Sequence, residues 1–111
     1  MDGDYLTKIL AKQNKKIYFL EVEDIIWFES SGNYVKVHLE NNHYLIRASL
    51  SSLEEKLNPR KFIRVHNTTI VNVDKIKVIE RWFTGDFEIT LDNSRKLKMS
   101  RNYRDVLNRF S

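Results

Sequence analysis

The 111 residues contain no cysteine, one proline, three glycines and no long apolar run. Without cysteine there are no disulfides, thiolate nucleophiles or thiolate metal sites, a composition that fits a reducing cytoplasm. The longest uninterrupted apolar stretches, residues 17–20 and 25–28, are four residues each, far short of the roughly 20 that a membrane helix needs. Met1 to Leu6 carries Asp2 and Asp4 and no apolar core, so no secretory signal is expected. The three glycines never reach a phosphate-cradling spacing such as G-x-G-x-x-G or G-x-x-x-x-G-K. His38, His43 and His66 are scattered without a paired metal-ligand spacing, so neither a metal nor a cofactor is expected. Glu54 and Glu55 are adjacent carboxylates beside Lys56 and read as a solvated face. Together these absences leave no constellation for catalysis.

What is present is 41% hydrophobic and 31% charged residues, the balance of one globular domain. The net charge of +4 is unevenly spread. Residues 94–111 hold Arg95, Lys96, Lys98, Arg101, Arg104 and Arg109 against Asp105 alone, a local charge of +5, while the rest sums to −1. A positive field confined to one region suits a surface that meets phosphates. A basic helix kept only for solubility carries the same charge, so both readings stay open.

Residues 1–15 are polar, with a weak helical spacing at Leu6, Ile9 and Leu10, and read as a linker ahead of a domain over 16–111. From residue 16 the apolar period becomes that of strands. Strands are expected over 17–20, 25–29, 34–39, 43–47, 62–65, 68–71, 75–82, 87–91 and 95–99, with turns at Ser30 to Asn33, Glu40 to Asn42, Thr84 to Asp86 and Asp92 to Ser94. One short helix is expected over 50–57, with Ser49 or Ser51 at its N-cap and Asn58-Pro59 as its stop. A terminal helix behind Ser100 places Tyr103, Val106, Leu107 and Phe110 on one face. The fold class is therefore mainly β and antiparallel, with one internal and one C-terminal helix.

The stretch Arg64-Val-His-Asn-Thr-Thr-Ile-Val-Asn72 interleaves strand-forming residues with an excess of polar groups. With Phe62 and Ile63 before it, the phrase resembles the F-x-R-x-H-x-S-x-x-V-N pattern of LytTR domains, the DNA-binding modules of LytR/AlgR-type bacterial response regulators. Thr68 stands where serine is common in that pattern. Ile26-Trp-Phe-Glu29 with Gly32 and Tyr34, Arg47-Ala-Ser-Leu50 with Leu53 and Leu57, and Met99-Ser-Arg-Asn-Tyr103 resemble three further family motifs in matching order. The likeness runs over roughly residues 8 to 110.

The resemblance implies an elongated stack of small antiparallel β-sheets that reads double-stranded DNA in the major groove with loops. It implies base contacts from Asn33, Asn67 and Arg101. Contacts to phosphates, or support for the loops, are implied for Arg47, Arg64, His66, Thr68, Lys98, Ser100, Asn102 and Arg104. It also implies transcription regulation in a two-component system, paired direct repeats as targets, a homodimer on DNA, and an upstream receiver domain that these residues do not include. Each reader has suitable chemistry of its own: an asparagine amide matches adenine N6 and N7, and an arginine matches guanine O6 and N7. Bland roles compete. Asn67 can bond only its own turn, Asn33 can supply a left-handed turn residue, and Arg101 can pair with Asp105 along a helix. A protein-interaction β module, docking a partner at a sheet edge or through the basic end, is the competing function.

Overall fold

The computed structural model describes residues 4–110. Its chain forms ten strands: β1 (Lys8–Gln13), β2 (Lys16–Glu21), β3 (Trp27–Ser31), β4 (Tyr34–His38), β5 (His43–Ile46), β6 (Phe62–His66), β7 (Thr69–Asn72), β8 (Ile76–Arg81), β9 (Phe87–Leu91) and β10 (Lys96–Met99). One α-helix, α1 (Leu50–Lys56), lies between β5 and β6, and a 3-10 helix closes the chain at Arg101–Phe110. The strands build three antiparallel sheets: β1-β2, β5-β4-β3-β7-β6 and β10-β9-β8. The whole measures 47 × 31 × 25 Å, an elongated stack as expected.

The five-stranded sheet is the shared wall of two cores, because side chains alternate across it. Phe28, Val35, Val37, Phe62 and Ile70 face one way and pack with Ile9, Ala11 and Leu20 of the first hairpin and with Leu50, Leu53 and Leu57 of α1. Trp27, Ile63, Val65 and Val71 face the other way, onto Ile89, Leu91, Leu97 and Met99 of the third sheet. Register makes the layers: Phe28 lies opposite both Val37 and Ile70, one residue over from the Trp27–Val71 pair.

Two expectations fail in instructive ways. Residues 8–13, read as linker with a weak helical spacing, form β1, whose Ile9 and Ala11 are buried in the first core. The strand was hidden because its inward residues are separated by Leu10, which is exposed, and its turn is Asn14-Lys15. Both turn residues have positive φ, 54° and 65°, the geometry of a two-residue hairpin usually flagged by Asn-Gly. The terminal helix is 3-10 rather than α. At three residues per turn Tyr103 and Val106 align and Leu107 lies beside them; these three are half-buried against the second core, whereas Phe110 is exposed.

α1 starts as one of the two capping readings required. Ser49 is extended (φ −112°) and its side chain accepts from Ser52 N–H at 3.1 Å, which satisfies one of the free amides of the first turn. Leu57, before Asn58-Pro59, is already extended at φ −89°, ψ 149°. Ser51, the competing cap, lies within the helix and faces β6 instead.

His38 gives the fold a pH-dependent contribution to stability. Its ring stacks on Trp27 at 4.0 Å and 3°, and its Nε2 lies 2.9 Å from Glu29 Oε1. The ion pair alone would raise the pKa, but burial outweighs it and holds the value below the ordinary 6.5. The unfolded chain therefore takes up a proton near 6.5 that the folded chain refuses. Stability is full above that pH and declines as pH falls toward the lowered value. Melting temperature should drop between about pH 7.5 and 5.5, and His38→Gln should flatten part of that slope. Identical slopes for both proteins would show that His38 is not responsible.

Candidate nucleic-acid interface

Antiparallel pairing brings the predicted loops to one edge. β3 runs against β7 with Glu29 opposite Thr69, so the β3–β4 turn comes out beside the β6–β7 loop. Ser30 N–H donates to Thr68 carbonyl at 3.0 Å and fastens the two together. Ser100 N–H donates to Val65 carbonyl at 2.9 Å, so the chain leaves β10 next to the same loop. The three segments that hold Asn33, Asn67 and Arg101 thus converge without any one of them being adjacent in sequence.

At the first, Gly32 has φ +62° and takes the left-handed position of the turn. Asn33 does not, which removes the conformational role that competed for it. Asn33, Arg47, Ser49, Arg64 and Asn67 line a cleft of about 490 Å³. Arg47 reaches it because Ile46, the last residue of β5, pairs with Val35 at the start of β4.

The β6–β7 loop is cross-braced. Register shifts between Arg64 and His66, so one extra residue of β6 is accommodated as a bulge before the loop. Arg64 is mostly buried, its side chain 18% exposed. Its Nη2 donates to Asn67 carbonyl at 2.8 Å and its Nη1 lies 3.3 Å from both Ser51 Oγ and Glu54 Oε1 of α1. Glu54, read as a solvated carboxylate, is therefore the partner of this arginine. Thr68 N–H donates to His66 Nδ1 at 3.3 Å, and Thr68 Oγ1 lies 2.9 Å from the same nitrogen. In a neutral ring that accepts at Nδ1, the proton sits on Nε2, which leaves a donor for a phosphate. Asn72, last in the polar stretch, is buried; it donates to Ile25 carbonyl at 2.8 Å and accepts from Asp74 N–H at 3.0 Å. The polar excess thus divides: Arg64, Thr68 and Asn72 hold the backbone, and Asn67 stands exposed at the tip.

At the third segment, Ser100 Oγ accepts from Asn102 N–H at 3.3 Å, the expected cap. Arg101 is exposed, and the Arg101–Asp105 pair is not among the ion pairs of the described residues. Its side chain instead lies over Gly85 of the β8–β9 turn, where an added methyl group would meet Cδ and Nη1 at 3.6 Å. Asp86 Oδ1 is 3.5 Å from Arg101 N–H. Lys98, Asn102 and Arg104 are exposed around it. Other tail charges are used elsewhere: Arg95 lies 5.3 Å over the Trp27 ring, Lys96 pairs with Glu88 at 3.1 Å, and Arg109 donates to Pro59 carbonyl at 3.3 Å.

Sequence reasoning missed one residue of consequence. Tyr103 is expected on an apolar face and at the end of the closing motif, with no role at the site, yet its hydroxyl donates to Asn67 Oδ1 at 2.6 Å across 36 positions of chain. The signal available was its chemistry: a half-buried tyrosine usually places its hydroxyl on a partner. Among the described residues no group of three or more His, Asp or Glu side chains could hold a metal ion. No helix among the described residues is long and apolar enough to cross a membrane.

Exposed amide and guanidinium groups gathered at one edge of a β stack are the chemistry of a DNA-binding domain. The chain belongs to the LytTr DNA-binding domain family, whose pattern matches residues 15–110. Among its relatives, transcriptional regulatory protein LytR of Staphylococcus aureus (strain N315) is 27% identical over 103 residues, 93% of this chain and 42% of that protein. Sensory transduction protein LytT of Bacillus subtilis (strain 168) is 29% identical over 96 residues, 86% of this chain and 40% of that protein. The chain therefore spans about two fifths of the length of these relatives. A solved LytTr DNA-binding domain from Bacillus cereus has the same fold, with a TM-score of 0.84 at 23% identity over 94% of this chain and 95% of that one.

Proposed function

We propose that this domain binds double-stranded DNA sequence-specifically and regulates bacterial transcription as the output domain of a LytR/AlgR-type response regulator. The observation that carries the reading is the convergence of Asn33, Asn67 and Arg101 on one edge. Asn33, Asn67 and Arg101 read base edges in the major groove, and Arg47, His66, Lys98, Ser100, Asn102 and Arg104 meet phosphates around them. Arg64 and Thr68 hold the reading loop in shape. The role is binding, not catalysis, and it is exercised in the cytoplasm. Paired direct repeats, a dimer formed on DNA and an upstream receiver domain complete the arrangement.

One observation supports a protein contact as a second reading: Leu10, Ile17 and Phe19 are exposed together on the outer face of the β1-β2 hairpin, with Leu10 directly opposite Phe19. Selection of bound sequences from random duplexes separates the two. The DNA reading expects a short enriched motif, repeated at a fixed helical spacing. Retention without any enriched motif would leave the protein-contact reading in its place.

A further inference from the structure

We propose that the Tyr103 hydroxyl fixes which way round the Asn67 amide faces the duplex, and that this orientation makes Asn67 select adenine over guanine. The inference rests on the base-reading role of Asn67 given above. Residue 67 is gripped twice. Arg64 Nη2 holds its carbonyl at 2.8 Å from the β6 side, and Tyr103 Oη holds its side-chain Oδ1 at 2.6 Å from the C-terminal helix. The structure places the amide oxygen, not its nitrogen, against the phenol, at a distance in the range of O–H···O bonds.

An unrestrained carboxamide turns over about its last bond and exchanges oxygen for NH₂. A phenol donates better than it accepts, so the bonded arrangement keeps Oδ1 on the Tyr103 side and sets the place of Nδ2. Oδ1 retains a second lone pair. Asn67 therefore offers one acceptor and one donor in a fixed order. Adenine presents N7 as acceptor and N6 as donor, which matches this order, whereas guanine presents two acceptors, N7 and O6. Against guanine the fixed Oδ1 would oppose O6. An amide released from Tyr103 can swing about its side-chain torsions so that its NH₂ alone meets O6 or N7 while Oδ1 turns to solvent, and so tolerate either purine. Tyr103 is thus a positioning residue: its half-buried ring packs against the second core while its hydroxyl sets the amide of a loop from another element.

The test compares wild type, Asn67→Ala and Tyr103→Phe on duplexes carrying each of the four bases at every position of the selected motif. Asn67→Ala should flatten one position. At that same position Tyr103→Phe should reduce the preference for adenine over guanine by roughly ten-fold, with the other positions and the melting temperature little changed. Tyr103→Met, which fills similar space without a hydroxyl, repeats the measurement should the phenylalanine variant fold poorly. If Asn67→Ala flattens a position but Tyr103→Phe keeps the full adenine preference there, the proposal is overturned and the reading role stands. Losses spread evenly over all positions would also overturn it, because they would mark Tyr103 as structural only. If Asn67→Ala flattens no position, the reading role fails first and the proposal with it.

Discussion

Phe28→Ala should destabilise the domain by about 3–5 kcal/mol. Phe28 is fully buried, sits on the central strand of the five-stranded sheet, and meets Phe62 at 5.7 Å between ring centroids in a tilted arrangement. Its cross-strand partners Val37 and Ile70 are equally closed off, and all three are tied by sheet hydrogen bonds that resist collapse around a void. Truncation therefore forfeits the ring's burial and leaves a cavity. Domains of this size are stable by only about 5–15 kcal/mol, so a large share of the margin is removed. Urea unfolding should show a much lower midpoint with an unchanged slope. Phe83→Ala is the control, because Phe83 is 97% exposed and its removal should stay within about 0.5 kcal/mol. Equal effects of the two substitutions would refute the core assignment.

Arg101→Ala should flatten base preference at one position of the bound motif, costing about 1–3 kcal/mol for the preferred base. Arg104→Ala, three residues on, should weaken binding evenly across sequences and reduce the log-log salt slope by about 0.9. The contrast follows from placement. Arg101 stands where the chain leaves β10 beside the β6–β7 loop and lies along Gly85, which narrows the directions its guanidinium can take. Arg104 is exposed farther along the helix and has no ion-pair partner among the described residues. Competition binding at several salt concentrations measures both. A uniform loss in Arg101→Ala, with every base preference intact, would reassign that side chain to phosphate contact.

The strands from β2 onward could be read from the chain because their apolar residues alternate or run in short β-branched blocks between turn residues. Ser49 and Asn58-Pro59 bracketed α1 for equally local reasons. β1 escaped because its turn is Asn-Lys, whose positive φ angles no composition signal announces. The winding of the terminal helix also escaped, since an i, i+3 pair such as Tyr103 and Val106 fits α and 3-10 spacing alike. For the candidate interface, the exposed residues were legible from their motif positions. The braces were not: Arg64 with Glu54 and Tyr103 with Asn67 are pairs between elements 10 and 36 residues apart, and periodicity within an element says nothing of which elements meet.

The bulge between Arg64 and His66 has a bearing on how this surface can diversify. In a ladder with a period of two, one residue more or fewer turns every later side chain to the opposite face. A substitution at position 67 therefore leaves the register of β6 against β7 intact, whereas a change in the number of residues from Val65 to Thr69 should disturb it. A single deletion there would swing the tip of the loop from solvent toward the second core. At this edge substitution should therefore be tolerated more readily than insertion or deletion.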